Sequence, residues 1–373
     1  MHARCLEGFR VLDLSQYLPG PYGAQILADL GAEVVKIEPP AGDPMRAISP
    51  READGVSAFY KLINAGKTVV RLDLKSAADR AAFETLVRRA DALVESFRPG
   101  ALARLGLGAQ TLQALNPRLV HCALSGFGQT GPYARRAGHD INYMAHAGGL
   151  AESGTPERPV VAYPPTADFA GGMQAALTVL AALLRRERGG RGAVIDVSLA
   201  ETVLAWQGIA LTAALHAGGG PARAASLLNG GAACYQVYET ADGRFVTLGA
   251  LEDKFWANFC RSVGRVDWIA RQGEPLPQSA LIAEVAALIR GRTLAAWAHH
   301  LKDVDCCFQP VLEPHEVPDD AQVRARGLVR RAEGPDPRFE VLFPAFFDGR
   351  PPRPRPPVRE LPADEVLDAW GCG

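Results

Sequence analysis

Two ionisable side chains lie in sequence contexts that suit proton transfer. His139 belongs to the segment Gly138-His139-Asp140-Ile141-Asn142-Tyr143, and Asp168 follows it further along the chain. An imidazole, with an unperturbed pKa of about 6.5, accepts and releases a proton near neutral pH. A carboxyl group acts as an acid there only if its pKa is raised, for instance in a desolvated, apolar site. The two residues are therefore candidates for an acid–base pair.

The sequence around Asp168 suggests two opposing effects on the pKa of its carboxyl group. Its neighbours are apolar and small, namely Ala167, Phe169, Ala170 and Gly171, which favours a raised pKa. The residue also lies at the start of a predicted helix, whose dipole favours the carboxylate. An ordinary structural role is open as well, because an Asp before an apolar helix commonly caps it. The default interpretation of a loop histidine such as His139 is likewise structural.

The elements that must position these residues alternate along the first two hundred residues. Strands are predicted at 9–14, 33–37, 68–74, 90–95, 119–124 and 193–197. Helices are predicted at 21–30, 76–88, 169–186 and 199–217, the third in the core because it is apolar nearly all round. Such alternation predicts an α/β fold with a mostly parallel, Rossmann-like sheet covered on both faces.

The pattern changes after the linker-like segment Gly218-Gly219-Gly220-Pro221. A hairpin is predicted from 233–238 and 245–248, with helices at 254–263, 281–290 and 294–301. We therefore predict a large domain over residues 1–218, a small α+β domain over 219–305, and a return to the large domain over 306–373. The proline-rich segment 350–357 is expected to be extended on the surface.

Charge and cysteine content indicate which binding partners and which cellular compartment to expect. The formal net charge is −1, which gives no indication of nucleic acid or an acidic membrane surface. The seven cysteines include an adjacent pair but no C-x-x-C pair, which suits neither a disulfide framework nor a zinc site. We expect a reduced, cytoplasmic protein with no metal. The N-terminal residues lack the apolar core of a signal peptide, and no segment is expected to span a membrane.

Several short blocks, taken in order, resemble the family III CoA-transferases and their relatives, the α-methylacyl-CoA racemases. The blocks are Val11-Leu12-Asp13-Leu14-Ser15, Pro19-Gly20-Pro21, Asn64-Ala65-Gly66-Lys67, Leu72-Asp73-Leu74-Lys75, Phe97-Arg98-Pro99-Gly100, Leu124-Ser125-Gly126-Phe127-Gly128 and Ala167-Asp168-Phe169-Ala170-Gly171-Gly172. Each block is weak alone, but they run over at least residues 7–330. The resemblance implies an acyl-CoA enzyme.

The superfamily contains two chemistries. Its transferases use an Asp at the position of Asp168 as a nucleophile, and they usually carry a glycine-rich loop in the small domain. Its racemases carry Gly-His-Asp-Ile-Asn-Tyr before that Asp and a Gly-Ala-Ile/Leu-Glu segment in the small domain. This chain has the complete segment at 138–143, Gly249-Ala250-Leu251-Glu252, and only Asn229-Gly230-Gly231 as a glycine pair.

The resemblance therefore implies racemisation of 2-methyl-branched acyl-CoA thioesters through an enolate, with His139, Asp168 and Glu252 as catalytic residues. Glu252 would reach His139 from the small domain of a second subunit, in an interlocked homodimer. On composition alone, Glu252 is an ordinary first-turn acid of a predicted helix. Coenzyme A is part of the substrate, and no separate cofactor is implied.

The same resemblance implies a set of substrate-binding residues: Lys36, Arg71, Leu72, Asp73, Leu74, Lys75, Arg98, Ala137, Gly138, Asp140, Ile141, Asn142 and Tyr143. Two positions depart from the racemases, because Pro39 and Ala65 stand where an Arg is common. The phosphates of coenzyme A must then depend on other cations, with Lys36, Arg46, Lys67, Arg71, Lys75 and Arg98 as the candidates.

Two other functions remain open. A family III CoA-transferase would use Asp168 as the nucleophile and form a covalent adduct there. A non-catalytic acyl-CoA-binding subunit would bind the ligand without turnover, although the full set of motifs argues against it. The acyl-CoA substrate and a second copy of the chain are the expected partners.

Overall fold

A computed structural model describes residues 5–220, 222–332 and 338–372 of the chain. The N-terminal residues 1–4 and Pro221 of the predicted linker lie outside the described residues. The strands are β1 (Arg10–Leu14), β2 (Glu33–Glu38), β3 (Thr68–Arg71), β4 (Ala92–Glu95), β5 (Val120–Ser125), β6 (Ala193–Ser198), β7 (Tyr235–Glu239), β8 (Phe245–Gly249), β9 (Phe308–Pro310), β10 (Val329–Arg331), β11 (Phe339–Val341) and β12 (Arg359–Glu360).

The helices include those that were predicted and several short ones that were not. They are α1 (Pro19–Asp29), α2 (Ala58–Asn64), α3 (Ala77–Arg89), α4 (Ala101–Arg104), α5 (Ala109–Leu115), α6 (Asp140–His146), α7 (Thr166–Gly189), α8 (Leu199–Leu204), α9 (Gly208–Ala217), α10 (Asp253–Ser262), α11 (Ser279–Ile289), α12 (Leu294–Leu301), α13 (Ala321–Arg326) and α14 (Ala363–Ala369). The single helix predicted over 199–217 is instead two helices separated by a 3₁₀ turn, Ala205–Gln207.

The chain divides into two compact units. The larger consists of Met1–Ala147, Tyr163–Trp206 and Pro318–Gly373, and the smaller of Gly148–Ala162 and Gln207–Val317. These boundaries differ from the predicted divisions at residues 218 and 305. Strand β9 pairs with β8, which keeps the chain in the smaller unit beyond residue 305. Arg223 donates hydrogen bonds to the carbonyl oxygens of Ala151 (3.1 Å) and Thr155 (3.0 Å), which connects the segment Gly148–Ala162 to the rest of the smaller unit.

The larger unit is built on a seven-stranded sheet in the order β12-β3-β2-β1-β4-β5-β6, and every neighbouring pair is parallel. Strands β4 and β5 are buried along their whole length, as expected where helices cover both faces. The order from β3 to β6 is that of a doubly wound nucleotide-binding sheet. The predicted Rossmann-like sheet is therefore confirmed, although β12 was not predicted.

Helices α1 and α7 pack closely on one face of this sheet. A Cβ atom on Gly172 would lie 2.4 Å from the carbonyl oxygen of Pro19, and one on Gly23 would lie 2.7 Å from the carbonyl oxygen of Gly172. Only glycine allows this approach, so the pair fixes the beginning of α7. By length and composition alone α7 could cross a membrane, yet half of its apolar window is buried inside the protein, as in a core helix.

The smaller unit is an α+β structure with its own core. Strands β7, β8 and β9 form an antiparallel sheet, and the predicted hairpin is present from β7 to β8. Helices α10, α11 and α12 contribute Trp256, Trp297 and several aliphatic side chains to one buried cluster. The indole of Trp256 donates to the carbonyl oxygen of Trp268 (2.9 Å), so the buried polar atom is satisfied. The predicted small α+β domain is confirmed as a fold.

Candidate active site

A cavity of about 540 Å³ opens at the carboxyl ends of the central strands of the large sheet. Strands β1 and β4 are neighbours there, and their connections leave in opposite directions, which is where doubly wound sheets bind ligands. The walls come from the loops after β1, β4 and β5 and from the starts of α6 and α7. The cavity is lined by Gln16, Tyr17, Pro19, Ser96, Phe97, Arg98, Pro99, Leu124, Ser125, Gly126, Ala134, Arg136, Ala137, Gly138, His139, Asn142, Tyr143, Asp168 and Leu199.

His139 lies immediately before helix α6 and on the cavity wall. Its backbone N–H donates to Oδ1 of Asn142 (3.0 Å), and its carbonyl oxygen accepts from the N–H of Asn142 (2.8 Å). These two bonds hold the turn that carries the imidazole. Tyr143 closes the other side of the turn, because its hydroxyl donates to the carbonyl oxygen of Gly138. A Cβ on Gly138 would lie 2.8 Å from the Tyr143 ring, so glycine makes room for this contact.

Asp168 lies in the first turn of α7, on the wall of the same cavity. Its backbone N–H donates to Oδ1 of Asp140 at 3.1 Å, which joins the starts of α6 and α7. Burial raises the pKa of Asp168 to about 6, the negative charge of Asp140 acts in the same direction, and His139 opposes them. Desolvation is the largest cause of this raised pKa. At neutral pH Asp168 can both accept and release a proton.

The structure brings His139 and Asp168 to one cavity of the larger unit, whereas Glu252 belongs to the smaller unit. Glu252 is the exposed residue before helix α10 in the smaller unit. That unit has a cavity of its own, of about 660 Å³, whose walls include Asn229, Gly230 and Gly249 from the two small-domain motifs. His139 and Asp168 thus line a cavity of the larger unit, and the predicted small-domain glycines line a cavity of the smaller unit.

A smaller groove of about 280 Å³ lies among the loops that follow the strands of the larger unit. It is lined by Leu14, Gln16, Ile37, Glu38, Pro39, Leu72, Asp73, Leu74, Lys75, Phe97 and Leu105. Residues 72–74 were predicted as the end of a strand, but β3 ends at Arg71 and a turn follows, in which the Lys75 N–H donates to Oδ1 of Asp73 at 3.0 Å. Gln16 and Phe97 line both the groove and the large cavity, so the two spaces share a wall.

The cations predicted to bind the phosphates of coenzyme A differ in whether a carboxylate of the protein already pairs with them. Lys36 is fully buried, and its Nζ lies 3.0 Å from Oδ2 of Asp43, so its charge is neutralised inside the protein. Lys67 is buried in the same way, 2.8 Å from Oδ2 of Asp13. Both belong to internal ion pairs beneath the loop after β1, because removing a charge from water requires a partner.

Among the predicted cations that are exposed or half-exposed, two are paired with carboxylates of the described residues and two are not. Arg71 pairs with Glu360 of strand β12 (2.6 Å), and Arg46 pairs with Glu38 (2.7 Å). Lys75 lines the groove and Arg98 the cavity, and neither has a carboxylate partner within the described parts of the chain. Lys75 and Arg98 are therefore the predicted cations that remain available to a phosphate.

Of the residues predicted in the segment 137–143, Ala137, Gly138, His139, Asn142 and Tyr143 line the cavity. Asp140 acts behind the wall through its bond to the Asp168 N–H, and the side chain of Ile141 is 42% exposed. Several lining residues were not predicted: Gln16, Tyr17, Ser96, Phe97, Ser125 and Arg136. Most follow the carboxyl ends of β1, β4 and β5, and the strand-end rule applied to the predicted strands would have found them.

Comparison with known proteins identifies the family. The model of CoA-transferase family III matches residues 6–363. The chain belongs to this family. It is 35% identical to the human α-methylacyl-CoA racemase over 98% of this chain and 93% of the human protein. It is 34% identical to the acetyl-CoA:oxalate CoA-transferase of Acetobacter aceti over 88% of this chain and 86% of that protein.

A solved structure agrees with this assignment. The crystal structure of a CaiB/BaiF family protein from Brucella suis is similar with a TM-score of 0.84 at 27% identity, over 99% of both chains. The resemblance to family III CoA-transferases and racemases read from the sequence is therefore confirmed. Racemases and transferases both occur among the relatives, so this protein is an enzyme of the superfamily whose reaction must be argued from the site.

Proposed function

We propose that this family III enzyme is a racemase of 2-methyl-branched acyl-CoA thioesters. One group removes the proton from the carbon next to the thioester, which leaves an enolate. The other group delivers a proton to the opposite side of that carbon, and no atom other than hydrogen is exchanged. His139 and Asp168 would exchange the roles of base and acid between the two directions of the reaction.

The observation that carries the proposal is that His139 and Asp168 line one cavity while the pKa of Asp168 is raised to about 6. General acid–base catalysis is most efficient when the pKa of each group is near the working pH, because both protonation states are then populated. A pKa near 6 therefore allows the carboxyl group of Asp168 both to accept and to release a proton near neutral pH.

The shared wall supports one placement of the substrate. The nucleotide of coenzyme A fits the groove lined by residues 72–75, with Lys75 at its edge, and the thioester then reaches the large cavity past Phe97. Arg98 follows Phe97 and is in place for a phosphate. Asn142 uses Oδ1 to accept from His139, which leaves its NH₂ group free to donate to the thioester oxygen as the enolate forms.

We also propose a homodimer, in which Glu252 would act from the second subunit. The support in this chain is the exposed apolar surface of helix α9, where Ile209 is 82% and Leu215 81% exposed. Apolar surface of this kind commonly marks a protein–protein interface. Size-exclusion chromatography with light scattering tests this directly, and a stable monomer would contradict it.

The proposed reaction is tested by exchange of the α-proton for deuterium in heavy water, followed by mass spectrometry and analysis of chirality. We expect exchange and loss of chirality with 2-methylacyl-CoA thioesters. His139→Ala should abolish most of the exchange, whereas His299→Ala, an exposed histidine on α12, should leave it unchanged. Absence of exchange across a panel of such thioesters, together with transfer of CoA between acids, would exclude the racemase.

A transferase is the second candidate, and the similarity to the oxalate CoA-transferase favours it. In that reaction the Asp168 carboxylate attacks the thioester carbonyl, CoA leaves as its thiolate, and an acyl anhydride forms on the side chain. Treatment with hydroxylamine followed by mass spectrometry would then reveal a modified Asp168. The His139→Ala variant separates the two reactions, because it would retain most of the transferase activity.

A further inference from the structure

The cavity that holds His139 and Asp168 is also lined by a cation to which the proposed reaction and the proposed placement of the coenzyme give no role. Arg136 lines this cavity two positions before Gly138, and it was not predicted as a site residue. Within the described residues its guanidinium has no carboxylate partner. It therefore presents an uncompensated positive charge to whatever occupies the cavity.

The guanidinium of Arg136 is held in place by an aromatic surface. Its carbon Cζ lies 3.7 Å from the centre of the Tyr133 ring, within the distance for a cation–π contact. Tyr133 in turn packs edge-to-face on Phe127 (5.8 Å between ring centres), and Phe127 packs on Tyr143 of the reaction cavity (5.2 Å). Stacking on this row of rings restricts the Arg136 side chain, so less freedom is lost when it binds an anion.

The position of this charge decides which anion it suits. The phosphates of coenzyme A belong at the nucleotide end, where Lys75 lines the groove, and Arg98 adjoins the wall shared by both spaces. The pantetheine arm and the thioester carry no charge. Arg98 follows Phe97 of the shared wall, whereas neither sequence neighbour of Arg136 lines the groove. Arg136 instead precedes the turn that carries His139, so we place an anion that it binds on the acyl side of the thioester.

We propose that the preferred substrate carries a carboxylate on its acyl group, and that Arg136 binds this carboxylate. The proposal rests on the proposed function and adds the substrate class: a 2-methyl acyl-CoA derived from a dicarboxylic acid. The planar fork of an arginine matches both oxygens of a carboxylate, which gives selectivity over an apolar chain end. Arg136 is thus a specificity residue, distinct from the proton-transfer pair.

Two thioesters of equal chain length test the proposal: the 1-thioester of 2-methylglutaric acid, which ends in a carboxylate, and 2-methylpentanoyl-CoA, which ends in a methyl group. The wild-type enzyme should exchange the α-proton of the first with the lower KM. Arg136→Gln should raise the KM for the carboxylate substrate about tenfold to a hundredfold, as expected for loss of a charged hydrogen bond. It should leave kcat, and the KM for the apolar substrate, within about twofold, because only substrate binding is affected.

The matched control is Arg135→Gln, which removes the adjacent exposed charge from outside the cavity lining and should change neither KM. An equal rise in KM for both thioesters in Arg136→Gln would overturn the proposal, because Arg136 would then contact the shared CoA portion. A wild-type preference for the apolar thioester would also overturn it. Calorimetric binding of the two thioesters measures the same selectivity without turnover, so this result stands apart from failure of the proposed racemase activity.

Discussion

Replacing Asp168 by Asn should stabilise the protein while it removes the activity. The raised pKa of Asp168 means that its ionised form is held in the folded protein against an unfavourable free energy. Asn has the same shape but no charge. The bond between Asp140 and this position uses the backbone N–H of residue 168, so the substitution does not remove it.

The expected gain follows from the pKa. A rise from 3.8 to about 6 corresponds to about 3 kcal/mol of lost stability when the carboxyl group is ionised, at about 1.36 kcal/mol for each pKa unit. The start of helix α7 stabilises a carboxylate by about 0.3–1 kcal/mol, which Asn forgoes. The net gain in the free energy of unfolding is therefore about 2 kcal/mol at pH 7.5.

The gain should depend on pH in one direction. A group whose pKa is raised on folding takes up its proton first in the folded state, so the destabilisation is complete above about pH 6. It disappears as the pH falls towards 3.8, the ordinary pKa of the carboxyl group. Asp168→Asn and the wild type should therefore approach equal stability near pH 4.

Urea unfolding at pH 7.5 and pH 4.5 measures both quantities. The control is Asp253→Asn, which removes an exposed first-turn carboxylate of α10 and should give no gain at either pH. Destabilisation by Asp168→Asn at pH 7.5, or an equal gain at both pH values, would refute the reasoning. In the first case the carboxylate would be stabilised by its surroundings, and in the second the effect would not come from its charge.

Three further predictions concern the same unit. Asp140→Asn removes a negative charge beside Asp168 but keeps an acceptor for the Asp168 N–H. In a pH–rate profile of α-proton exchange, the inflection that belongs to Asp168 should therefore move below about pH 6. Lys67→Met should lower the free energy of unfolding in urea by about 3–5 kcal/mol, since its buried carboxylate partner loses its ion pair. Gly172→Ala should lower it by about 1–3 kcal/mol by separating α1 from α7, whereas Gly189→Ala, which has open space, should not.

The elements that could be predicted from the sequence are those with a strong local pattern. The apolar runs that became β1, β4 and β5 are buried on both faces of the sheet, so their composition alone marked them as strands. Strand β12 has two residues and follows a proline-rich segment, so no local pattern indicated it. The smaller unit includes the segment 148–162, and its link to Arg223 is a long-range contact that no local pattern contains.

In the candidate site, too, some features could be predicted from the sequence and others depend on the fold. His139 and Asp168 could be placed together from the order of the motifs, but the pKa of Asp168 depends on its burial and on Asp140, which only the fold brings close. Lys36 was predicted as a candidate for the phosphates of coenzyme A, and its burial was not foreseen. Its buried partner, Asp43, lies after the next turn, and a lysine at the end of a strand looks the same in sequence whether it faces solvent or an internal carboxylate.

Strand β12 has a consequence for the chain during its synthesis. The other six strands of the large sheet have all been made once β6 is complete, but β3 remains an edge until Arg359 and Glu360 arrive to pair with Thr68 and Val69. The ribosome must first translate the main part of the smaller unit, Gln207–Val317. Throughout that interval the nascent sheet exposes unpaired backbone groups that can pair with another chain. A chain that stalls or is cut shortly before residue 359 would keep this open edge and should aggregate.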